Sequence, residues 1–422
     1  MKKNIFTIFK IGVWIFFVLI ITSCFSPWEG NEGILTLYLN GTSNSRASAP
    51  PDDTTLDRLY YQISINGPTN ISLSSRGKEL IQTKVNSGKY NISVKAFFDS
   101  PNGNKYAEGI LSNVTIKAGQ NSVVIAMKRY FPVWIGVADS PFGTEDIYSV
   151  TCGNGKFIAG GGNNKMAWSV NGSDWYLAST SPFTVFNAMV FGNGNFVASG
   201  TGDNRRIASS PDGINWDFAL YSTSNPFSSG MSVNLSYCDN GAFYASEGGN
   251  SYPKVTSTDG LNWNDFTSIG SSLTNCFAWG NGVLIAAAST IIRYSLDNGN
   301  TWTLPASPFS SGSIYSVAWG NETFVAVNSI GQIGISNDGL AWVLADDSTF
   351  GGTAINRIVF EKGYFVAVGN DGKMAYSSDN GITWIPIYES PFGTTHIRRI
   401  TYGDGRFVAV GYSGKIAYSI IP

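Results

Sequence analysis

The residues best suited to chemistry fall into two sets. The first set is repeated: Ser169-Val-Asn-Gly-Ser-Asp-Trp175, Ser210-Pro-Asp-Gly-Ile-Asn-Trp216, Ser257-Thr-Asp-Gly-Leu-Asn-Trp263, Ser295-Leu-Asp-Asn-Gly-Asn-Thr-Trp302, Ser336-Asn-Asp-Gly-Leu-Ala-Trp342 and Ser377-Ser-Asp-Asn-Gly-Ile-Thr-Trp384. Each packs a hydroxyl, a carboxylate or amide, a glycine and an indole into one short stretch. The second set is not repeated. Arg357, His396, Arg398 and Arg399 cluster toward the end of the chain, and Glu145, Asp146 and Glu389 are carboxylates in loop-like surroundings. Arginine is the side chain for gripping carboxylates, and paired carboxylates are the means of glycoside hydrolysis. His396 is the single histidine of the chain. A His-based metal site or a Ser/His triad therefore has little material.

Repetition argues that the first set is frame. A catalytic centre is unique, whereas these stretches return with their tryptophans 41, 47, 39, 40 and 42 positions apart. Asn171 replaces the aspartate in the first copy, so a negative charge is not required there. Asp or Asn at that place can accept hydrogen bonds from turn N–H groups. Glycine supplies the backbone angles, and the indole supplies packing area. Too few oxygens are offered for calcium. No cofactor or metal is expected.

Upstream of each copy lies a strand, a turn and a second strand, as in Ile314-Tyr-Ser-Val-Ala-Trp-Gly320 and Thr323-Phe-Val-Ala-Val327. A period of about 40–45 residues with four short strands per unit is a β-propeller signature. The last unit ends after Lys415-Ile-Ala-Tyr-Ser419 without its Trp strand. An orphan, Trp134, stands seven residues before Pro141, the spacing that also links Trp175 to Pro182 and Trp384 to Pro391. Residues 132–138 are therefore expected to complete the last blade of a seven-bladed propeller over 131–422. The recurring Pro-Phe pairs, such as Pro141-Phe142 and Pro391-Phe392, are expected to wedge between blades.

The repeated turn resembles the Asp-box of sialidases and of other propellers, including a photosystem assembly factor and sortilin-type receptors. The sialidase resemblance implies three arginines on a substrate carboxylate, with a Tyr nucleophile and an acidic partner. This chain departs from it. The Arg-Ile-Pro signature is absent where the sequence reads Pro132-Val-Trp-Ile-Gly-Val-Ala-Asp139, and seven blades are counted where sialidases have six. A non-catalytic binding or scaffolding protein is the favoured expectation, and a sialidase-like hydrolase the alternative.

Function on such a disk falls to residues that differ between blades. Aligning the inner strands on their Gly-containing turns gives Tyr148, Asn187, Asn234, Asn275, Tyr315, Asn356 and Arg398 as second positions. They form either a polar ring at the channel mouth for a protein or glycan, or a set of amides that satisfy strand-start backbone groups.

The remaining segments give address. Lys2, Lys3 and Lys10 precede the apolar run Ile11 to Ile21, which ends in Ile21-Thr-Ser-Cys24. The run is short of the ~20 residues that span a bilayer. It resembles the export signal and lipobox of bacterial lipoproteins, which implies removal of 1–23 and lipidation of Cys24. The implied address is the cell envelope, at the outer membrane or surface in preference to the inner membrane. Residues 24–32 read as a tether. Alternating runs over 33–130, such as Leu59-Tyr-Tyr-Gln-Ile-Ser-Ile65, indicate a small immunoglobulin-like or transthyretin-like β-sandwich serving as a spacer. Cys152, Cys238 and Cys276 read as small buried residues. With 48 Gly, 14% aromatic and 13% charged residues, the 422-residue chain fits an all-β class. A net charge of −2 gives no polybasic footprint for nucleic acid. A monomer is expected.

Overall fold

The computed structural model describes residues 32–38, 59–77, 81–98, 105–125, 128–129 and 133–420, less short segments at 203, 205, 223–225, 228–231, 248–253, 267–273, 346–347 and 388–389. The apolar leader, Cys24, residues 25–31, the loop at 42–57, Pro132 and Glu389 lie outside the described residues. Among the described residues no helix is long and apolar enough to cross a membrane.

The N-terminal part is built from two sheets. In the first, Glu32–Tyr38 pairs antiparallel with Ile81–Asn86 and parallel with Gly119–Val124. The second runs, in spatial order, Ile71–Arg76, Leu59–Asn66, Gly88–Phe98, Lys105–Ile116 and Lys128–Arg129. Leu59–Asn66 alternates buried and half-buried residues along its length, as a strand with one face on a core must. Leu35, Leu37, Ile63, Ile65, Tyr90, Ile92 and Val94 fill the space between the sheets.

The rest of the chain forms seven sheets in succession. Their innermost strands are Ile147–Gly153, Val185–Gly192, Val233–Cys238, Cys276–Gly280, Ile314–Gly320, Ile355–Glu361 and Ile397–Gly403. Each lies against the next, and the last lies against the first. The strands therefore make a closed ring. Corresponding residues meet around it: Gly153 sits beneath Phe191, Gly192 beneath Tyr237, Gly280 beneath Trp319, Gly320 beneath Phe360 and Gly403 beneath Cys152. All the inner strands thus run the same way through the ring. A Cβ at Gly280 would lie 2.0 Å from the Trp319 ring, so only glycine admits the neighbouring aromatic.

The seventh sheet joins the two ends of this region. Its strands are Ile397–Gly403, Arg406–Gly411, Ile416–Ile420 and Val133–Gly136. Trp134 stands opposite Ser419 and is 1% exposed. Pairing the ends leaves no long open edge.

The repeated turns are engaged in this frame, although the second copy's Trp216 Nε1 lacks the indole bond that the other copies make. In the third copy, the Asp259 carboxylate accepts from the N–H groups of Leu261 (2.9 Å) and Asn262 (2.8 Å) and from the Asn262 amide (2.7 Å). Ser257 Oγ accepts from Gly260 N (2.9 Å), and Trp263 Nε1 donates to the Gly260 carbonyl (3.0 Å). Gly260 also seats against the preceding sheet, where a Cβ would fall 2.3 Å from Val197. In the first copy Asn171 accepts the same kind of bonds from Ser173 and Asp174. Phe142, Phe183, Phe227, Phe309 and Phe392 of the Pro-Phe pairs are all buried.

Candidate functional site

Six of the seven inner strands begin with a buried residue, and in most of the seven a β-bulge follows. Register shifts between Ile147 and Ser149, Phe186 and Ala188, Ile314 and Ser316, Ile355 and Arg357, and Ile397 and Arg399 leave Tyr148, Asn187, Tyr315, Asn356 and Arg398 unpaired in their ladders. A bulge re-aims the side chain of the extra residue, so these five project at one end of the channel. Asn275 stands just before its strand, its N–H bonded to the Ala287 carbonyl at 2.8 Å. Asn234 is placed differently: it sits in register opposite Ser246, and its strand has no bulge. The third sheet carries its extra residue in the turn Asp239-Asn240-Gly241 instead.

Two amides of this ring brace one sheet against the next. Asn275 donates to the Ile314 carbonyl (2.8 Å), and Asn356 to the Ile397 carbonyl (2.7 Å). Asn356 also reaches Asn370 Oδ1 at 2.9 Å. Ser199 and Ser246 make the equivalent bonds to the carbonyls of Val233 and Thr274, both at 2.6 Å. Asn187 makes a longer contact with Ser232 Oγ at 3.4 Å.

Tyr148, Tyr315 and Arg398 carry the remaining chemistry of the ring. Tyr315 is 39% exposed. The Arg398 guanidinium lies 5.5 Å from the Tyr412 ring centroid, within cation–π range. Tyr412 lies 5.5 Å from His396 and 6.5 Å, edge on, from Tyr148. Asp371 N donates to His396 Nδ1 at 3.0 Å. Burial, then the nearby Asp146 carboxylate, raises the Tyr148 phenol above its ordinary value. Asp146 accepts from Ser413 N (2.9 Å), and Glu145 from the Asn163 amide (2.7 Å). Both carboxylates are thus tied to loops. Tyr412 is absent from the sequence-derived set. The signal that would find it is variation among the repeats in the loop after the second strand, where other sheets carry Gly162, Ser329 and Asn370.

Below the mouth are two further arginines. Arg357 and Arg399 follow the bulges of the sixth and seventh sheets, where other sheets place Ser149, Ala188, Cys276 and Ser316. Both are half-buried. Burial, then the charges of Arg357 and Arg398, pulls Arg399 well below the ordinary guanidinium range. Arg357 is pulled down by burial, and the titratable groups acting on it are the thiols of Cys276 and Cys238. Among the described residues neither arginine makes an ion pair with a carboxylate. Burial pushes the Cys276 thiol up to about 12 and the Cys152 thiol to about 11. Neither is a thiolate at neutral pH. At the far end of the channel lie Asp239, Glu361 and Asp404, with Glu361 raised by burial.

A closed ring of radially arranged antiparallel sheets around a channel defines a β-propeller. No family model matches the chain, and no curated protein matches it by sequence. Solved structures do share the fold. YCF48 from Cyanidioschyzon merolae is 17% identical with a TM-score of 0.52, covering 68% of this chain and 98% of its own. A structure of YCF48 bound to D1 peptide is 14% identical with a TM-score of 0.53, covering 69% and 98%. A catalytically inactive virginiamycin B lyase from Staphylococcus aureus, with quinupristin, is 11% identical with a TM-score of 0.57, covering 69% and 100%.

Proposed function

We propose that this protein is a non-catalytic, seven-bladed binding propeller, held in the bacterial cell envelope by a lipidated Cys24. Its channel mouth captures a carboxylate-bearing segment of a partner protein. The observation that carries this reading is the pair Arg357 and Arg399, two half-buried cations without a carboxylate partner among the described residues. A buried charge costs several kcal/mol unless it is paired. An incoming carboxylate supplies the missing partner, and arginine accepts it bidentately. Arg398, Tyr148 and Tyr412 lie above the pair and suit an extended chain threading toward it. The propeller fold is shared with a YCF48 structure that holds a peptide, which supports a protein ligand for a disk of this kind. The sandwich at 33–130 serves as the spacer between membrane and disk.

The test is a cross-linked pull-down from envelope fractions with wild type and with Arg357→Gln/Arg399→Gln. A partner captured by wild type and lost from the double variant supports the reading. Equal capture by both overturns it. Turnover of a fluorogenic sialoside by the purified protein would instead favour the hydrolase alternative.

A further inference from the structure

The face opposite the mouth carries the inner hairpin turns, and one of them breaks the pattern. Six inner turns have glycine at their last position: Gly155, Gly194, Gly241, Gly282, Gly363 and Gly405, with φ between 71° and 82°. The fifth sheet has Glu322 there, at φ 60°. Left-handed backbone is costly for a side-chain-bearing residue and tends to persist at functional sites.

The asparagine braces that tie the first two turns to the next sheet are not repeated at this turn. Asn154 donates to the Gly194 and Pro211 carbonyls of the next sheet (3.0 and 2.8 Å), and Asn193 to those of Gly241 and Thr258 (both 2.8 Å). Asn281, the corresponding residue of the fourth sheet, has no side-chain hydrogen-bond partner among the described residues. Asn321, its counterpart in the fifth, donates instead to the side chain of Asn380. Asn380 is itself the extra residue of the sixth sheet's repeated turn, at φ 63°. Beside this turn lies a cavity of about 440 Å³, lined by Asn281, Trp319, Asn321, Glu322, Thr323, Asn337 and Asn380. That volume lies within the ~300–1,000 Å³ of ligand clefts.

The lining has a definite chemistry. Side-chain amides present a donor and an acceptor side by side, and a carboxylate presents two acceptors. Adjacent hydroxyls of a sugar ring, each both donor and acceptor, match that array. The Trp319 indole forms an apolar wall suited to the C–H groups of the same ring. Glu322 is the single carboxylate of the lining, which suits a neutral polyol better than a multivalent cation needing 6–8 oxygen ligands. Ordinary glycoside hydrolysis requires two carboxylates, so the arrangement binds without cleaving.

We propose that this cleft is a saccharide-binding site, separate from the channel mouth, with Glu322 and the amides of Asn281, Asn337 and Asn380 holding the hydroxyls of a hexose-type ring. The test uses the full chain in a detergent without a sugar headgroup. Maltose, cellobiose, mannobiose and diacetylchitobiose are titrated by calorimetry and saturation-transfer NMR up to about 20 mM, a range that captures weak sites. At least one is expected to bind saturably. Glu322→Gly restores the glycine of the other turns, so the variant should melt no lower than wild type while binding that sugar about 10-fold more weakly, or not at all. Asn281→Ala should weaken binding as well. Arg357→Gln/Arg399→Gln should leave it unchanged, which keeps this site distinguishable from the mouth. Failure of all four sugars to bind, or unaltered binding by Glu322→Gly, overturns the proposal.

Discussion

Trp134 stands opposite Ser419 in the strand ladder, and its neighbour Val133 lies in the hydrophobic core of the N-terminal sandwich. The two residues point into different cores. Trp134 packs with Val366, Val368, Met374 and Phe407 of the last two propeller sheets, while Val133 packs among the residues that include Leu35, Ile63 and Val94. One short strand therefore closes the ring and docks the ring on the sandwich. Replacing a buried aromatic with alanine costs about 3–5 kcal/mol. Trp134→Ala should lower the propeller melting transition and expose its edges to protease. Deleting residues 132–138 should do more, and also lower the transition of the sandwich. Calorimetric unfolding of the full chain checks both. A deletion variant that melts like wild type would refute closure by this strand.

The repeated turns predict a specific acid sensitivity. Burial alone would raise the Asp259 carboxylate, yet the bonds from Asn262, Leu261 and Ser257 hold it down at about 2. Hydrogen bonds from Thr301 and Ser295 likewise hold Asp297 at about 2. Asp212, Asp338 and Asp379 are also lowered. A carboxylate with a depressed folded-state value stabilises the fold above its unfolded value near 3.9. That stability is lost as pH falls through the folded value. Urea midpoints should therefore hold from neutral pH to about 4 and fall steeply toward about 2. Asn171 makes the corresponding bonds without a charge. Asp259→Asn should accordingly keep the turn folded at neutral pH and reduce the acid-induced loss. An acid profile identical to wild type would refute this origin.

The bracing amides predict a separation of stability from binding. Asn356 is 6% exposed and donates to the Ile397 carbonyl of the next sheet. Truncating it leaves a buried carbonyl short of a partner, which costs about 1–3 kcal/mol. Asn356→Ala and Asn275→Ala should each lower the midpoint of chemical unfolding without weakening capture of a partner at the mouth. Loss of capture at unchanged stability would instead assign these amides to the ligand.

Much of the frame is legible in the sequence because it is repetitive. The turn residues recur with their Gly and Trp, so the sheet period and the role of Trp134 as a partner for the last sheet can be read from spacing. The candidate site is less legible because it depends on register. Asn234 aligns with Asn187 by counting back from a turn, yet the third sheet moves one residue from the bulge into Asp239-Asn240-Gly241 and shifts its Asn by one ladder position. Asn275 and Asn356 look like ligand groups until the carbonyl of the next sheet appears beside them. Tyr412 and Glu322 lie in loops whose departures from the repeat become meaningful once their neighbours across the ring are placed.

The arginine pair gives the sharpest separation between the frame and the mouth. Arg357 and Arg399 stand after the bulges of adjacent sheets, and burial, followed by repulsion from Arg357 and Arg398, lowers the Arg399 guanidinium. Other sheets place residues as small as Ala188 and Ser316 there, so the fold does not need either charge. Removing one charge from an unpaired, like-charged pair relieves repulsion, and replacing buried ions with packed apolar groups is often neutral or stabilising. Arg399→Met should therefore melt at or above the wild-type temperature while losing most of its capture of a carboxylate-bearing partner. Its capture should also depend less on salt, since one charge no longer contributes. Thermal denaturation and pull-down at two ionic strengths measure both effects. A variant that unfolds at lower temperature would assign Arg399 to the frame, and one that is stable and still captures its partner would remove the pair from the binding site.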